Sequence, residues 1–346
     1  MNIKIAGTGS AVPKKRVTND DLSKIMDTSD EWIKSRTGIE SRHLAVEETT
    51  TSLSVEAAQK ALKKAGMNAE ELDLIIAATV TPDKFLPNLA CEVQSALGAK
   101  RAVAFDLSAA CSGFLFSLNT AAMYLENGVY KNALIIGAET LSKIMDWNDR
   151  STCVLFGDGA GAAVVCAEEG ERAAQQCADA SKNADAMEQK ESVQSRGILA
   201  MEMGSDGARG MVLNCANRPV NNPYVQNDAT LTYTSMNGQE VYKFAVRTVP
   251  ETIGRVVEKA GLKLEDIDLF ILHQANIRII ESVSKRLGQP MEKFPTNLQE
   301  CGNISAASVP ILLDNVNNHG MIKTGSKIVL AGFGAGLTWG ATVLEW

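Results

Sequence analysis

The segment Ser108-Ala109-Ala110-Cys111-Ser112-Gly113-Phe114 puts a cysteine between Val103–Leu107, which reads as a short buried strand, and a helix-like run from Leu115 to Leu125 that ends near Asn127-Gly128. A thiol at a helix N-terminus meets free N–H groups and the positive end of the helix dipole, and both favour the thiolate. The same N–H groups can hold a developing oxyanion. Such a setting suits a nucleophile that attacks a carbonyl. The competing reading is a small buried cysteine, since cysteine is among the most buried residue types.

A cysteine nucleophile needs a base or a hydrogen-bond donor beside it, and the chain has three histidines. His43 follows Arg42 in a polar stretch and reads as surface. His319 lies in Asn317-Asn318-His319-Gly320, a turn by composition. His273 ends the apolar run 268–272 and precedes Gln274-Ala275-Asn276. Ligands gather at the carboxyl ends of strands in α/β sheets, although a structural histidine is the plainer alternative. Asn303 sits in Cys301-Gly302-Asn303-Ile304-Ser305-Ala306-Ala307-Ser308, a loop leading into a helix, where a helix cap is the alternative. Gly332-Phe333-Gly334-Ala335-Gly336 has a backbone that can approach a ligand closely and offer a second oxyanion donor.

These residues need elements to hold them. Ile3-Lys4-Ile5-Ala6, Leu72 to Ala77, Leu134 to Gly137 and Ala160 to Cys166 read as strands, and Ser54 to Ala65 as a helix. Thr28-Ser29-Asp30-Glu31 is a capping-box pattern opening a helix on which Trp32 and Arg36 share a face. Lys64 to Leu74 is echoed by Lys259 to Leu269, an offset of 195 residues, and at the same offset Ala133 meets Ile328. That spacing predicts a duplicated α/β unit with its sheets covered on both faces. Asn303 then falls in the second-half counterpart of the Cys111 turn. Leu107 to Leu125 carries no charge and reads as a central helix buried on every face. From Ala167 to Ser192 there is no Val, Ile, Leu, Phe, Tyr or Trp, so an exposed, mobile insertion is expected.

The composition bounds the partners. The 346 residues are 45% hydrophobic and 22% charged, with a net charge of −7. That is an ordinary globular balance, and it argues against a general nucleic-acid binder, which needs a basic footprint. The seven cysteines form no C-x-x-C pair and are odd in number, which fits a reduced, cytoplasmic setting. The N-terminal apolar stretch is broken by Lys4, Lys14, Lys15 and Arg16 and does not read as a signal peptide. No cluster with metal-ligand spacing is visible.

Taken together, Asp27-Thr28-Ser29-Asp30-Glu31-Trp32-Ile33, Arg36-Thr37-Gly38-Ile39, Ala109-Ala110-Cys111, Phe156-Gly157-Asp158-Gly159-Ala160-Gly161, His273-Gln274-Ala275-Asn276, Gly302-Asn303-Ile304-Ser305-Ala306-Ala307-Ser308 and Thr338-Trp339-Gly340, in this order, are a specific signature. The chain resembles the β-ketoacyl-acyl carrier protein synthase III enzymes, initiating ketoacyl synthases of the thiolase superfamily. The resemblance runs along nearly the whole chain. It implies a thiolase-like α/β fold of five layers, αβαβα. Residues 1–172 would form the half carrying the nucleophile, 168–196 the polar insertion, and 197–346 the half carrying His and Asn. It implies a nucleophile at Cys111, with His273 and Asn303 completing the catalytic set, and an oxyanion hole from the backbone N–H groups of Cys111 and Ala335. Elongating synthases resemble Cys-His-His, thiolases carry a second cysteine in the terminal glycine loop, and hydroxymethylglutaryl-CoA synthases use a glutamate; here the loop position is Asn303 and Gly334-Ala335-Gly336 has no cysteine.

The resemblance further implies that Trp32 and Arg150 sandwich the CoA adenine, that Thr28 and Arg36 contact the nucleotide, and that Asn276 contacts the pantetheine arm. Lys243, Arg278, Lys285 and Arg286 would form the patch for an acidic carrier protein, with an ordinary solvated helix face as the alternative for Lys285 and Arg286. Partners would be acyl-CoA and malonyl-acyl carrier protein, both substrates, with no resident cofactor, metal, nucleic acid or membrane, and the enzyme would be a homodimer. Two departures stand out. The polar insertion is longer than the family's usual connection. Leu86 falls where the family uses a residue, often aromatic, that reaches the partner subunit's acyl pocket. Alternatives are a synthase III-like acyltransferase of secondary metabolism and a nucleotide-binding oxidoreductase suggested by Gly7-Thr8-Gly9, whose third motif position is Val12, followed by Pro13.

Overall fold

The structure is a computed structural model that describes residues 2–168, 197–217, 219–227 and 232–346. The predicted insertion, and with it Cys177, lies outside the described residues but for the end of a strand at Ala167 and Glu168. The elements that position the site are strands β1 (Asn2–Ala11), β2 (Leu74–Ala78), β3 (Val103–Leu107), β4 (Asn132–Thr140), β5 (Asp158–Glu168), β6 (Gly197–Ser205), β7 (Leu269–Leu272), β8 (Lys327–Gly334) and β9 (Thr338–Glu345). The helices are α1 (Asp30–Thr37), α2 (Thr50–Ala65), α3 (Leu89–Leu97), α4 (Gly113–Glu126), α5 (Gly238–Lys259), α6 (Ile277–Leu287) and α7 (Ser308–Asn318).

Two sheets form. The first has the order β1-β5-β4-β2-β3 and the second the order β6-β9-β8-β7. In each, β4 or β8 pairs in parallel with one neighbour (β2 or β7) and antiparallel with the other (β5 or β9). The offset of 195 residues recurs at the starts of β1 and β6, β2 and β7, and β4 and β8. Alternation along the strands explains the layering, because successive side chains point to opposite faces. Ile75 and Ala77 of β2 pack under α2 and α3, while Leu74 and Ile76 pack against α4 and α7. Likewise Ile271, Ile328 and Leu330 face those central helices, whereas Phe270, Val329 and Phe333 face α5 and α6. Helices, sheet, central helices, sheet and helices thus make the five-layer thiolase fold. Each fully buried Leu or Ile in these layers contributes about 1.5–3 kcal/mol.

Four expectations need correction. Gly7-Thr8-Gly9 is interior β1, not a phosphate loop. A Cβ at Gly7 would lie 2.4 Å from the Ala61 carbonyl oxygen, and one at Gly9 2.2 Å from that of Ala57, so these glycines let α2 lie against the sheet. The N-cap of α1 is Ser29, whose hydroxyl accepts from the Trp32 N–H at 3.1 Å; Thr28 precedes it. Strand β3 is a sheet edge and only half-buried, with Val103 exposed. Helix α4 is buried along most of its length, yet Met123 and Tyr124 near its end are exposed. Among the described residues no helix is long and apolar enough to cross a membrane.

Candidate active site

Four strands deliver their carboxyl ends to one place. Strand β7 ends at Leu272, and the His273 N–H extends its pairing with β8 by donating to the Ala331 carbonyl at 2.8 Å. Strand β8 ends at Gly334, β4 at Thr140, and β2 at Ala78, just before Thr79-Val80-Thr81. Cys111 lies in a single 3-10 turn, Ala110–Ser112, that runs into α4. The matching turn, Ser305–Ala307, runs into α7. Both turns open on a non-glycine residue in the left-handed region, Ala110 at φ 45° and Ser305 at φ 43°. Such a backbone costs about 1–3 kcal/mol and persists only where surrounding packing imposes it.

These ends border a cavity of about 1570 Å³ lined by Cys111, His273 and Asn303 together. All three are buried, with exposures of 7%, 2% and 7%. Gly334 lies so close that a Cβ there would sit 2.7 Å from Cys111 Cβ and 2.8 Å from its nitrogen. The Thr338 hydroxyl ties the glycine loop to the cysteine turn through the carbonyls of Ala335 (3.0 Å) and Ala109 (3.2 Å). Ala335 also lines the cavity.

The two donors are set up differently. Asn303 is fixed by its backbone, which donates to Leu155 O at 2.8 Å and accepts from Gly157 N at 3.0 Å. Its Oδ1 accepts from the Ser305 N–H at 2.9 Å, which leaves the NH2 as the donor end. His273 packs edge-on to Phe333, ring centroids 5.3 Å apart, and its buried Nδ1 has no partner. Burial pushes its pKa down to about 3, so the ring is neutral at physiological pH. Burial likewise pushes the Cys111 thiol up to about 12. The thiolate expected from the helix N-terminus is therefore not the resting form; desolvation outweighs the partial charge there.

Glu139, which the sequence reading passed over, is fully buried beside this set. Its carboxylate accepts from the hydroxyls of Thr81 and Thr79 and from the Val80 N–H, and burial pushes its pKa up to about 7. An acid near the end of an apolar strand was the available signal.

The other named residues spread outward. Trp32, Arg36, Asn276 and Arg278 line the cavity; Thr28 and Arg150 do not. Trp32 is half-buried, with the Arg36 and Arg150 guanidinium carbons 4.6 and 5.1 Å from its ring centroid. Arg150 is also paired with Asp27 at 3.1 Å. The Thr28 hydroxyl is buried without a partner. The Asn276 amide caps α6 and donates to Arg36 O at 3.0 Å. Lys243 is exposed, paired with Glu240, and next to Tyr242, a lining residue. Lys285 and Arg286 are exposed in the last turn of α6, outside the cavity wall. Leu86 is 86% exposed and does not line its own chain's cavity, whereas Phe85 does. His43 is half-buried with Nδ1 2.6 Å from Pro13 O, and His319 caps α7; neither borders the cavity.

Comparison with known proteins shows the family. The model for 3-oxoacyl-[acyl-carrier-protein] synthase III covers residues 105–186, and that for its C-terminal part covers 257–346. A β-ketoacyl-[acyl-carrier-protein] synthase III of Clostridium acetobutylicum is 47% identical over 346 residues, 100% of this chain and 99% of the relative. The chain belongs to the β-ketoacyl-acyl carrier protein synthase III family. The crystal structure of a 3-oxoacyl-[acyl-carrier-protein] synthase III from Aquifex aeolicus is 45% identical with a TM-score of 0.86, covering 99% of this chain and 100% of that one. The priming β-ketosynthase of the R1128 polyketide pathway is 33% identical with a TM-score of 0.87, covering 99% and 96%. Membership in the synthase III family makes the chain a condensing acyltransferase. It also disposes of the oxidoreductase reading, which Gly7 and Gly9 in β1 had already lost.

Proposed function

We propose that the chain starts fatty-acid synthesis by condensing an acyl-CoA primer with malonyl-acyl carrier protein, with loss of CO2, through an acyl-cysteine on Cys111. The observation that carries this reading is the single cavity shared by Cys111, His273 and Asn303. In the first half-reaction the Cys111 sulfur attacks the thioester carbonyl. The oxyanion is held by the N–H groups of Cys111 and Ala335, and CoA leaves. In the second, malonyl-acyl carrier protein loses its carboxylate as CO2. The electron pair moves into an enolate whose oxygen accepts hydrogen bonds from neutral His273 and the Asn303 NH2. The enolate carbon then attacks the acyl-cysteine. The electrons come from the carboxylate, so no resident cofactor is required.

The CoA adenine would stack on Trp32. Arg150 now lies too near the indole to admit another plane, so the base would enter by drawing Arg150 off its pair with Asp27. Thr28 and Arg36 would contact the nucleotide, and Asn276 the pantetheine arm. Lys243, Arg278, Lys285 and Arg286, all exposed, would receive an acidic carrier protein. Leu86 would reach a partner subunit of a homodimer.

Mass spectrometry after incubation with a panel of acyl-CoAs, with no malonyl donor, tests the reading. An added acyl mass on the Cys111 peptide is expected, and none in Cys111→Ala. Asn303→Ala should still be acylated but release CO2 from malonyl-acyl carrier protein at least ~10²-fold more slowly. Equal loss of both steps would sink the assignment of Asn303. The likeness to a polyketide priming synthase favours a second reading, a synthase III-like acyltransferase of secondary metabolism; transfer from acyl-Cys111 to an acceptor other than malonyl-acyl carrier protein would establish it.

A further inference from the structure

Two hydrogen-bond donors that serve one enolate oxygen have to be aimed together, and here they come from different parts of the fold. Asn303 is bound through its Oδ1 and through both sides of its backbone. His273 has no such tie on its side chain. Its ring meets Phe333 edge-on, and its buried Nδ1 has no partner among the described residues. The aim of the imidazole therefore rests on its backbone. The next residue, Gln274, is 1% exposed and does not border the cavity. Its side-chain amide turns back past His273 and donates to the Leu272 carbonyl at 2.8 Å. Its Oε1 accepts from the Asn297 N–H at 3.2 Å. An amide serves both partners because it carries a donor at one end and an acceptor at the other.

We propose that Gln274 is a positioning residue: by tying the end of β7 to the segment that leads to Asn303, it sets His273 and Asn303 to one common aim for decarboxylation. The inference rests on the condensation proposed above. Asn297 opens the single helical turn Leu298–Cys301, and its carbonyl accepts from the Glu300 and Cys301 N–H groups at 3.1 and 3.0 Å. The Gly302 N–H donates to Leu298 O at 2.9 Å, and Asn303 follows directly. A hydrogen-bonded path thus runs from the Leu272 carbonyl through the Gln274 amide and the Asn297 backbone into the turn that ends at Asn303. The two ends of that path adjoin the two donors.

Other attachments hold the segment in place without Gln274. Phe294 stacks on Phe270 of β7, with ring centroids 4.7 Å apart and planes 8° apart, and both rings are buried. Asn303 keeps its backbone bonds to Leu155 and Gly157. Loss of the Gln274 amide therefore frees the angle between the two donors rather than the fold. Donors of this kind act by being preorganised where charge develops, and a misplacement of about 1 Å can cost about 10²-fold in rate. The cysteine turn and the glycine loop are tied instead by the Thr338 hydroxyl. Acyl transfer to Cys111 lies outside the reach of the Gln274 bridge.

The test reads two steps in the full-length enzyme: acylation of Cys111 by an acyl-CoA, then CO2 release from malonyl-acyl carrier protein by the acylated enzyme. Wild type, Gln274→Met, His273→Ala and the double variant of the last two are compared. Methionine keeps the length of the side chain and removes both hydrogen bonds. Gln274→Met should acylate at the wild-type rate but release CO2 roughly 10- to 10²-fold more slowly, as a loss of kcat with KM for malonyl-acyl carrier protein unchanged. In the His273→Ala background the same substitution should have no further effect, because no imidazole is left to aim. Wild-type CO2 release in Gln274→Met, equal slowing of both steps, or a full effect in the His273→Ala background would each overturn the role. Should Gln274→Met not fold, Gln274→Glu is read in the same terms; its carboxylate keeps an acceptor for the Asn297 N–H and has no hydrogen for the Leu272 carbonyl. A wild-type enzyme that releases no CO2 overturns the proposed condensation and this role together; release that ignores Gln274 overturns the role alone.

Discussion

His273 loses its charge on folding because nothing around it compensates burial, and that has a measurable sign. Its ordinary pKa of 6.5 falls to about 3 in the folded chain. The unfolded chain therefore binds the extra proton first, so this group's contribution favours folding above the ordinary histidine range and is lost as pH falls from there toward about 3. The enzymatic consequence is a null effect that can be checked. Decarboxylation by enzyme already acylated at Cys111 should show no step near the usual histidine pKa of about 6.5. A step there would mean that His273 works as an imidazolium. Trp32 gives a second residue-scale prediction. Removing the ring in Trp32→Ala should raise KM for acyl-CoA by roughly tenfold or more, since stacking on an aromatic ring is worth about 1–3 kcal/mol per base. Alkylation of Cys111 by iodoacetamide should not change.

At the scale of elements, close approach decides what the sequence could disclose. The strands β2, β7 and β8 and the Cys111 turn are legible because apolar runs recur at a fixed offset of 195 residues in the two halves. The purpose of a glycine is not legible. Gly7 and Gly9 have the look of a phosphate loop, and only their distance from α2 reveals a packing role. Gly9→Ala should destabilise the protein by about 1–3 kcal/mol, read as a lower melting temperature. Gly334→Ala should leave the melt nearer to wild type but cut acylation of Cys111 strongly, because the new methyl meets the cysteine itself. Glu139 stayed hidden for a related reason. A lone acid in a sequence reads as solvent-facing, and the Thr79-Val80-Thr81 partners that hold it come from the segment after β2, far from it in the chain.

For the whole molecule, two exposed apolar side chains, Phe85 at 66% and Leu86 at 86%, stand on the connection between β2 and α3. Phe85 lines the cavity and Leu86 does not, which fits a surface completed by a second copy. Leu86→Trp should shorten the longest acyl-CoA that acylates Cys111 while leaving iodoacetamide alkylation intact, and sedimentation should give a dimer. A monomer with unchanged chain-length preference would remove Leu86 from the acyl pocket.

The depth of the cavity sets the kinetic order. Cys111, His273 and Asn303 are buried, while Arg36 and Arg278 on the cavity wall are exposed. With Cys111 as the proposed nucleophile, both thioesters would thread the same passage to reach one sulfur, so the first pantetheine would have to withdraw before the second could enter. Initial rates against each substrate should give parallel double-reciprocal lines, and free CoA should compete with malonyl-acyl carrier protein. The protein would then sense the cellular ratio of spent to charged CoA with no regulatory site beyond its own doorway.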